Sequence, residues 1–88
     1  MMIFLKVFPI VGVCDQSQEL EIAFEKNKMN EVLTHLEERV GFSLADKFEK
    51  LMLLHNGQVL DKDVLNRSKE VVFEDGDRLW LLPLLSGG

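Results

Sequence analysis

A chain of 88 residues, 47% hydrophobic and 28% charged, fits one globular domain and argues against disorder. Its net charge of −5, from 15 acidic and 10 basic residues, excludes nucleic acid as the expected partner, because phosphate binding needs a basic surface that releases counterions. A basic protein surface is the natural complement.

A domain of this size buries about 60–65% of its unfolded surface, enough for one compact core but not for a deep private cavity. The single cysteine, Cys14, permits no internal disulfide and fits a reducing compartment. The opening MMIFLKVFPIVGVC is apolar and ends in cysteine, yet Lys6 lies inside the apolar run and Val13 stands where a lipoprotein leader needs a small residue. The run is also shorter than the roughly 20 residues that span a bilayer. The expectation is a strand, in a cytoplasmic protein without a membrane partner.

Residues 2–9 alternate as a half-buried strand does, with Ile3, Leu5 and Val7 on one face and Phe4, Lys6 and Phe8 on the other. Pro9 and Gly12 loosen the chain, and residues 15–18 form a polar turn. Alternation resumes over 19–25, where Leu20, Ile22 and Phe24 face inward, so the two strands form an antiparallel hairpin.

The period then becomes helical, with Met29, Val32, Leu33, Leu36 and Val40 on one stripe. Asn27 or Asn30 serves as N-cap, and Gly41 ends the helix in a left-handed cap. Phe42 folds back on the helix end. Residues 43–48 read as a short helical turn anchored by Leu44 and Phe48.

Leu51–His55 is apolar on both faces, as a central strand would be. Asn56-Gly57 signals a hairpin, with return strand Val59-Leu60. Residues 61–70 read as polar loop with Val64 or Leu65 as anchor. Val71-Val72-Phe73 brings the chain back, residues 74–77 turn tightly, and Leu79–Leu82 is the last strand. This order predicts an α+β fold: a β-grasp (ubiquitin-like) roll, a mixed sheet with one main helix on one face and the last strand parallel to the first.

The expected division is a β-grasp domain over 1–82 and a flexible tail over 83–88. Pro83 stops the strand and stiffens the exit, and Gly87 and Gly88 carry no side chains. Six residues at roughly 3.3 Å each reach about 20 Å, enough to carry the Gly88 carboxylate down a narrow channel.

The stretches LHNGQVL at 54–60 and FEDGDRLWLLPLLSGG at 73–88 resemble the ubiquitin-like sulfur carriers of the molybdopterin synthase small subunit (MoaD) and thiamine sulfur carrier (ThiS) type, and lean toward the molybdopterin branch. That family usually has a second proline where this chain has Leu84. The resemblance implies that Gly88 is adenylated by an ATP-dependent activating enzyme. A sulfur donor then converts it to a thiocarboxylate, and the tail is inserted into a larger synthase subunit, with Gly87, Ser86, Leu85, Leu84 and Pro83 threading the partner. The carrier binds no cofactor and no metal itself, ATP being used by the activating enzyme. Rival readings are a ubiquitin-like modifier joined through Gly88 to lysines, a carrier for thiamine or another thio-metabolite, and a plain binding module. A free-standing enzyme is not expected, since no nucleophile–base pair or phosphate loop is found.

Other residues receive plainer readings. Cys14 is a small buried hydrophobe, His35 and His55 are surface histidines, and Asp75 and Asp77 serve turn geometry. If Leu79 and Leu81 point at the helix, Trp80 and Leu82 share the opposite face near Phe4 and Phe8, as a docking surface.

Overall fold

The computed structural model describes residues 1–25 and 31–84. Its strands are β1 (Met2–Val7), β2 (Gln18–Ala23), β3 (Leu51–His55), β4 (Gln58–Val59) and β5 (Arg78–Pro83); its helices are α1 (Glu31–Val40) and α2 (Lys62–Leu65). Among the described residues they form one sheet in the order β2-β1-β5-β3-β4. β1 is antiparallel to β2 and parallel to β5, which is antiparallel to β3. A parallel first and last strand at the centre of a mixed sheet is the β-grasp topology expected from the element order.

The alternation in β1 explains its central place. Ile3, Leu5 and Val7 are buried with Leu79 and Leu81 of β5 and Leu51 and Leu53 of β3, and Val32, Leu33 and Leu36 of α1 belong to the same core. Gly41 has φ +88° and its N–H donates to the Glu37 carbonyl, so a residue tolerant of left-handed backbone closes α1. The proposed caps Asn27 and Asn30, and Met29 of the apolar stripe, lie outside the described residues.

Asn56 (φ +50°) and Gly57 (φ +88°) form the two-residue turn that sets the β3–β4 register, with His55 opposite Gln58. Positive φ at both turn residues matches the right-handed strand twist. β4 starts one residue earlier than the expected Val59-Leu60; Leu60 turns inward, and its N–H bonds the Leu53 carbonyl at 2.9 Å.

Two further expectations are corrected. The loop over 61–70 contains α2, whose N-cap Asp61 accepts a hydrogen bond from the Val64 N–H at 3.0 Å. Both candidate anchors, Val64 and Leu65, are buried, so the helix exists to seat that pair. The Asp61 cap was its sole sequence signal, too weak for a four-residue helix in a charged run.

Pro83 does not stop β5 at Leu82. It is the last residue of the strand, opposite Leu51, and the Leu84 N–H donates to the Lys50 carbonyl at 3.0 Å. The reason is parity. Phe8 donates to the Leu81 carbonyl, so residues 81 and 83 turn their polar groups toward β1, whose pairing with β5 ends at Leu81. The N–H that proline lacks falls on the side without a partner strand.

Candidate functional site

The outer face of the sheet, away from α1, gathers the predicted docking residues. Leu79 and Leu81 are buried, whereas Trp80 is 43% exposed and Leu82 is half-buried, as strict alternation along β5 requires. Trp80 lies opposite Lys6 of β1 and meets the Phe8 ring at 5.6 Å between centroids and a tilt of 57°. Lys6 Nζ stands 5.0 Å from the Phe8 centroid and 5.9 Å from that of Trp80, with the Glu19 carboxylate 4.0 Å away. The cation thus caps the aromatic pair and is half-shared with a carboxylate. Phe4 occupies the same face, exposed, at the register position of Arg78.

The sequence reading missed the other half of this patch. Leu54 faces Trp80 across the β3–β5 pair, Met52 faces Leu82, and exposed Val59 faces Leu54. Opposed residues in an antiparallel pair share a face, so the apolar surface extends from Phe8 to β4. For Met52 and Leu54 the signal is the two-sided apolar pattern of residues 51–55, which in sequence marks only a central strand.

Pro83, the last residue of β5, and Leu84 after it are placed as described above. Leu85, Ser86, Gly87 and Gly88, the remainder of the predicted threading segment and its reactive end, lie outside the described residues.

At the opposite end of β5, a hydrogen-bonded clip holds the strand's start. His55 is not a surface residue. Its side chain is 15% exposed, Nε2 lies 2.6 Å from Asp77 Oδ2, and its ring packs on Phe73 at 4.9 Å. Asn56 donates to Asp77 Oδ1 and accepts from the Arg78 N–H, while the Glu74 N–H donates to Asp77 Oδ2. Burial acts to raise the Asp77 pKa, but the hydrogen bonds from His55, Asn56 and the Glu74 N–H, with the positive charge of His55, prevail and hold it below the ordinary 3.8. The Asp75-Gly76-Asp77 turn also docks on β1: Asp75 Oδ1 accepts from the Met2 N–H at 2.8 Å, and the Gly76 N–H donates to the Met2 carbonyl at 2.7 Å. The network is a brace between the β3–β4 turn and the start of β5, and it lacks a nucleophile.

His35 is a surface residue, between Glu31 and Glu38 at 3.9 and 3.8 Å. Cys14 is half-buried against the core, its thiol 3.5 Å from the Phe8 carbonyl. Among the described residues no cluster of three His, Cys, Asp or Glu side chains is placed to hold a metal ion, and no helix is long and apolar enough to cross a membrane.

No protein-family model matches the chain. Over 59 residues, 67% of its length, it is 39% identical to the molybdopterin synthase sulfur carrier subunit of Drosophila sechellia. The match spans 59% of the length of the relative. Among solved structures, a ubiquitin-like protein from the archaeon Caldiarchaeum subterraneum is 21% identical, with 99% of this chain and 100% of that one covered and a TM-score of 0.48. One from a complex of subunits 1 and 2 of molybdopterin-converting factor from Helicobacter pylori is 22% identical, with both chains covered in full and a TM-score of 0.49. The β-grasp of this chain rests on its own sheet order and register.

Proposed function

We propose that the chain is a cytoplasmic sulfur carrier for molybdopterin assembly, holding its sulfur as a thiocarboxylate on Gly88. The observation that carries this reading is the course of β5. The strand presents Trp80 and Leu82 on the open apolar face and is followed in sequence by the Ser86-Gly87-Gly88 end, so one element joins a docking surface to a reactive tail. The 39% identity to a named sulfur carrier subunit supports it.

A carboxylate is a poor electrophile, so activation comes first. In an adenylating partner one Gly88 carboxylate oxygen bonds to the α-phosphorus of ATP, the α–β phosphoanhydride bond breaks, and pyrophosphate leaves. Sulfide attacks the acyl carbon and AMP departs, leaving a thiocarboxylate without any change of oxidation state. In a larger synthase subunit that sulfur bonds to a carbon of the pterin precursor as an oxygen substituent leaves that carbon, so carrier and product are joined through a thioester. Water then replaces the sulfur on the acyl carbon and restores the carboxylate. The carrier contributes a covalent group, while ATP belongs to the activating enzyme. Trp80, Leu82, Phe4 and Phe8 dock the partner. Gly87 and Gly88 let its channel close on the backbone and exclude water, which would hydrolyse the acyl-adenylate.

ATP–pyrophosphate exchange by an adenylating enzyme tests this reading. Exchange should require the chain and vanish when Gly88 is deleted. Exchange indifferent to that deletion, or lysine-linked adducts in place of a thiocarboxylate, would count against it.

A further inference from the structure

We infer that Leu84 anchors the base of the tail to the turn preceding β3, making it a positioning residue for chemistry at Gly88. The inference rests on the carrier reading. Two contacts hold Leu84. Its N–H donates to the Lys50 carbonyl at 3.0 Å, extending the β3–β5 ladder past Pro83. Its side chain helps line a crevice of about 80 Å³ whose other walls include Phe48, Leu51, Met52, Val59 and Leu65. The turn over residues 44–50 provides both grips, Phe48 as wall and Lys50 as acceptor. Leu84 remains 44% exposed, so it is seated at the rim of the crevice rather than sunk into the core. Proline at this position, usual in the carriers that the tail resembles, has no N–H to offer Lys50.

The anchor shortens the working tail. Counted from Pro83, six residues reach about 20 Å; counted from Leu84, the four residues 85–88 reach roughly 13–14 Å. An adenylating centre must come within that distance of Leu84, and the exit direction is fixed by β3 and β5 rather than searched for. Preorganisation of this kind lowers the entropy lost on capture.

The test uses the full chain and three substitutions in the ATP–pyrophosphate assay. Leu84→Met keeps both contacts and should lie closer to wild type than either of the other two variants. Leu84→Ala loses the crevice and Leu84→Pro loses the hydrogen bond. Each should lower kcat/KM about three- to tenfold, mainly through KM, with the melting temperature almost unchanged. Deletion of Leu85 should be far more damaging in the wild-type background than in Leu84→Ala, because a released anchor restores reach; purely additive defects would overturn the inference. Independently of activity, the Leu84 amide in the wild-type chain should exchange with solvent at least about tenfold more slowly than in an unstructured peptide, and the residue 84 amide of Leu84→Ala, which keeps the N–H but not the crevice contact, should be less protected. Free exchange at Leu84 would also overturn it. If the wild-type chain is not activated at all, the carrier reading fails, and amide exchange still decides the anchor.

Discussion

Replacing Trp80 by alanine separates docking from folding. The residue is 43% exposed, and a tryptophan can bury up to about 250 Å², so roughly 100 Å² is available to a partner. At about 25 cal/mol/Å² this corresponds to about 2.5 kcal/mol, or roughly 70-fold in Kd. Within the fold, the substitution removes the tilted ring contact with Phe8 and the approach of Lys6, worth about 1–2 kcal/mol together. Lost shielding of the indole beside Leu54 brings the total to about 2–3 kcal/mol, against about 4–13 kcal/mol for a domain of this size. Trp80→Ala should therefore remain folded in a denaturant melt while its titration against the proposed synthase partner weakens by one to two orders of magnitude. Binding within about twofold of wild type would refute the docking assignment, and so would a variant that unfolds, since Trp80 would then serve the core.

Other expectations follow from single residues. The Asp77 pKa is held below its ordinary 3.8, so its contribution is complete above that value and is lost as pH falls through the lower folded value. Asp77→Asn should lower stability by about 1–3 kcal/mol at neutral pH and flatten the acid limb of a stability–pH profile; an unchanged acid limb would contradict the brace. Leu81→Ala empties a fully buried site on β5 and should cost about 2–5 kcal/mol in chemical denaturation. A Cβ at Gly57 would meet nothing within 4 Å, yet φ is +88°, so Gly57→Ala should cost about 1 kcal/mol through the backbone alone; a neutral result in the same melts would mean that the turn relaxes.

The fold was legible wherever side-chain periodicity was clean. Ile3, Leu5 and Val7 against Phe4, Lys6 and Phe8 gave β1 its two faces, and Asn56-Gly57 gave the hairpin, because a two-residue turn with positive φ is nearly diagnostic. What escaped depended on tertiary partners. α2 is one turn long and stable only because Val64 and Leu65 reach the core, so its residues carry no helical period of their own. His55 looked like a surface residue because its partner Asp77 is 22 residues away, in a turn explained by its backbone alone. Pro83 was read by its general effect on strands, whereas its actual effect depends on which neighbour its nitrogen faces. At the candidate site, Trp80 and Leu82 followed from alternation, but the contribution of Met52, Leu54 and Val59 needed the β3–β5 and β3–β4 registers.

Whether Gly88 carries sulfur, as proposed, can be read from the intact mass of the chain. The chain is incubated with ATP, a cognate adenylating enzyme and sulfide, then weighed beside a variant lacking Gly88. A mass gain equal to exchange of one oxygen for one sulfur is expected, absent without ATP and absent in the variant. No gain with an enzyme shown to be competent on another carrier, or an equal gain without Gly88, would contradict it.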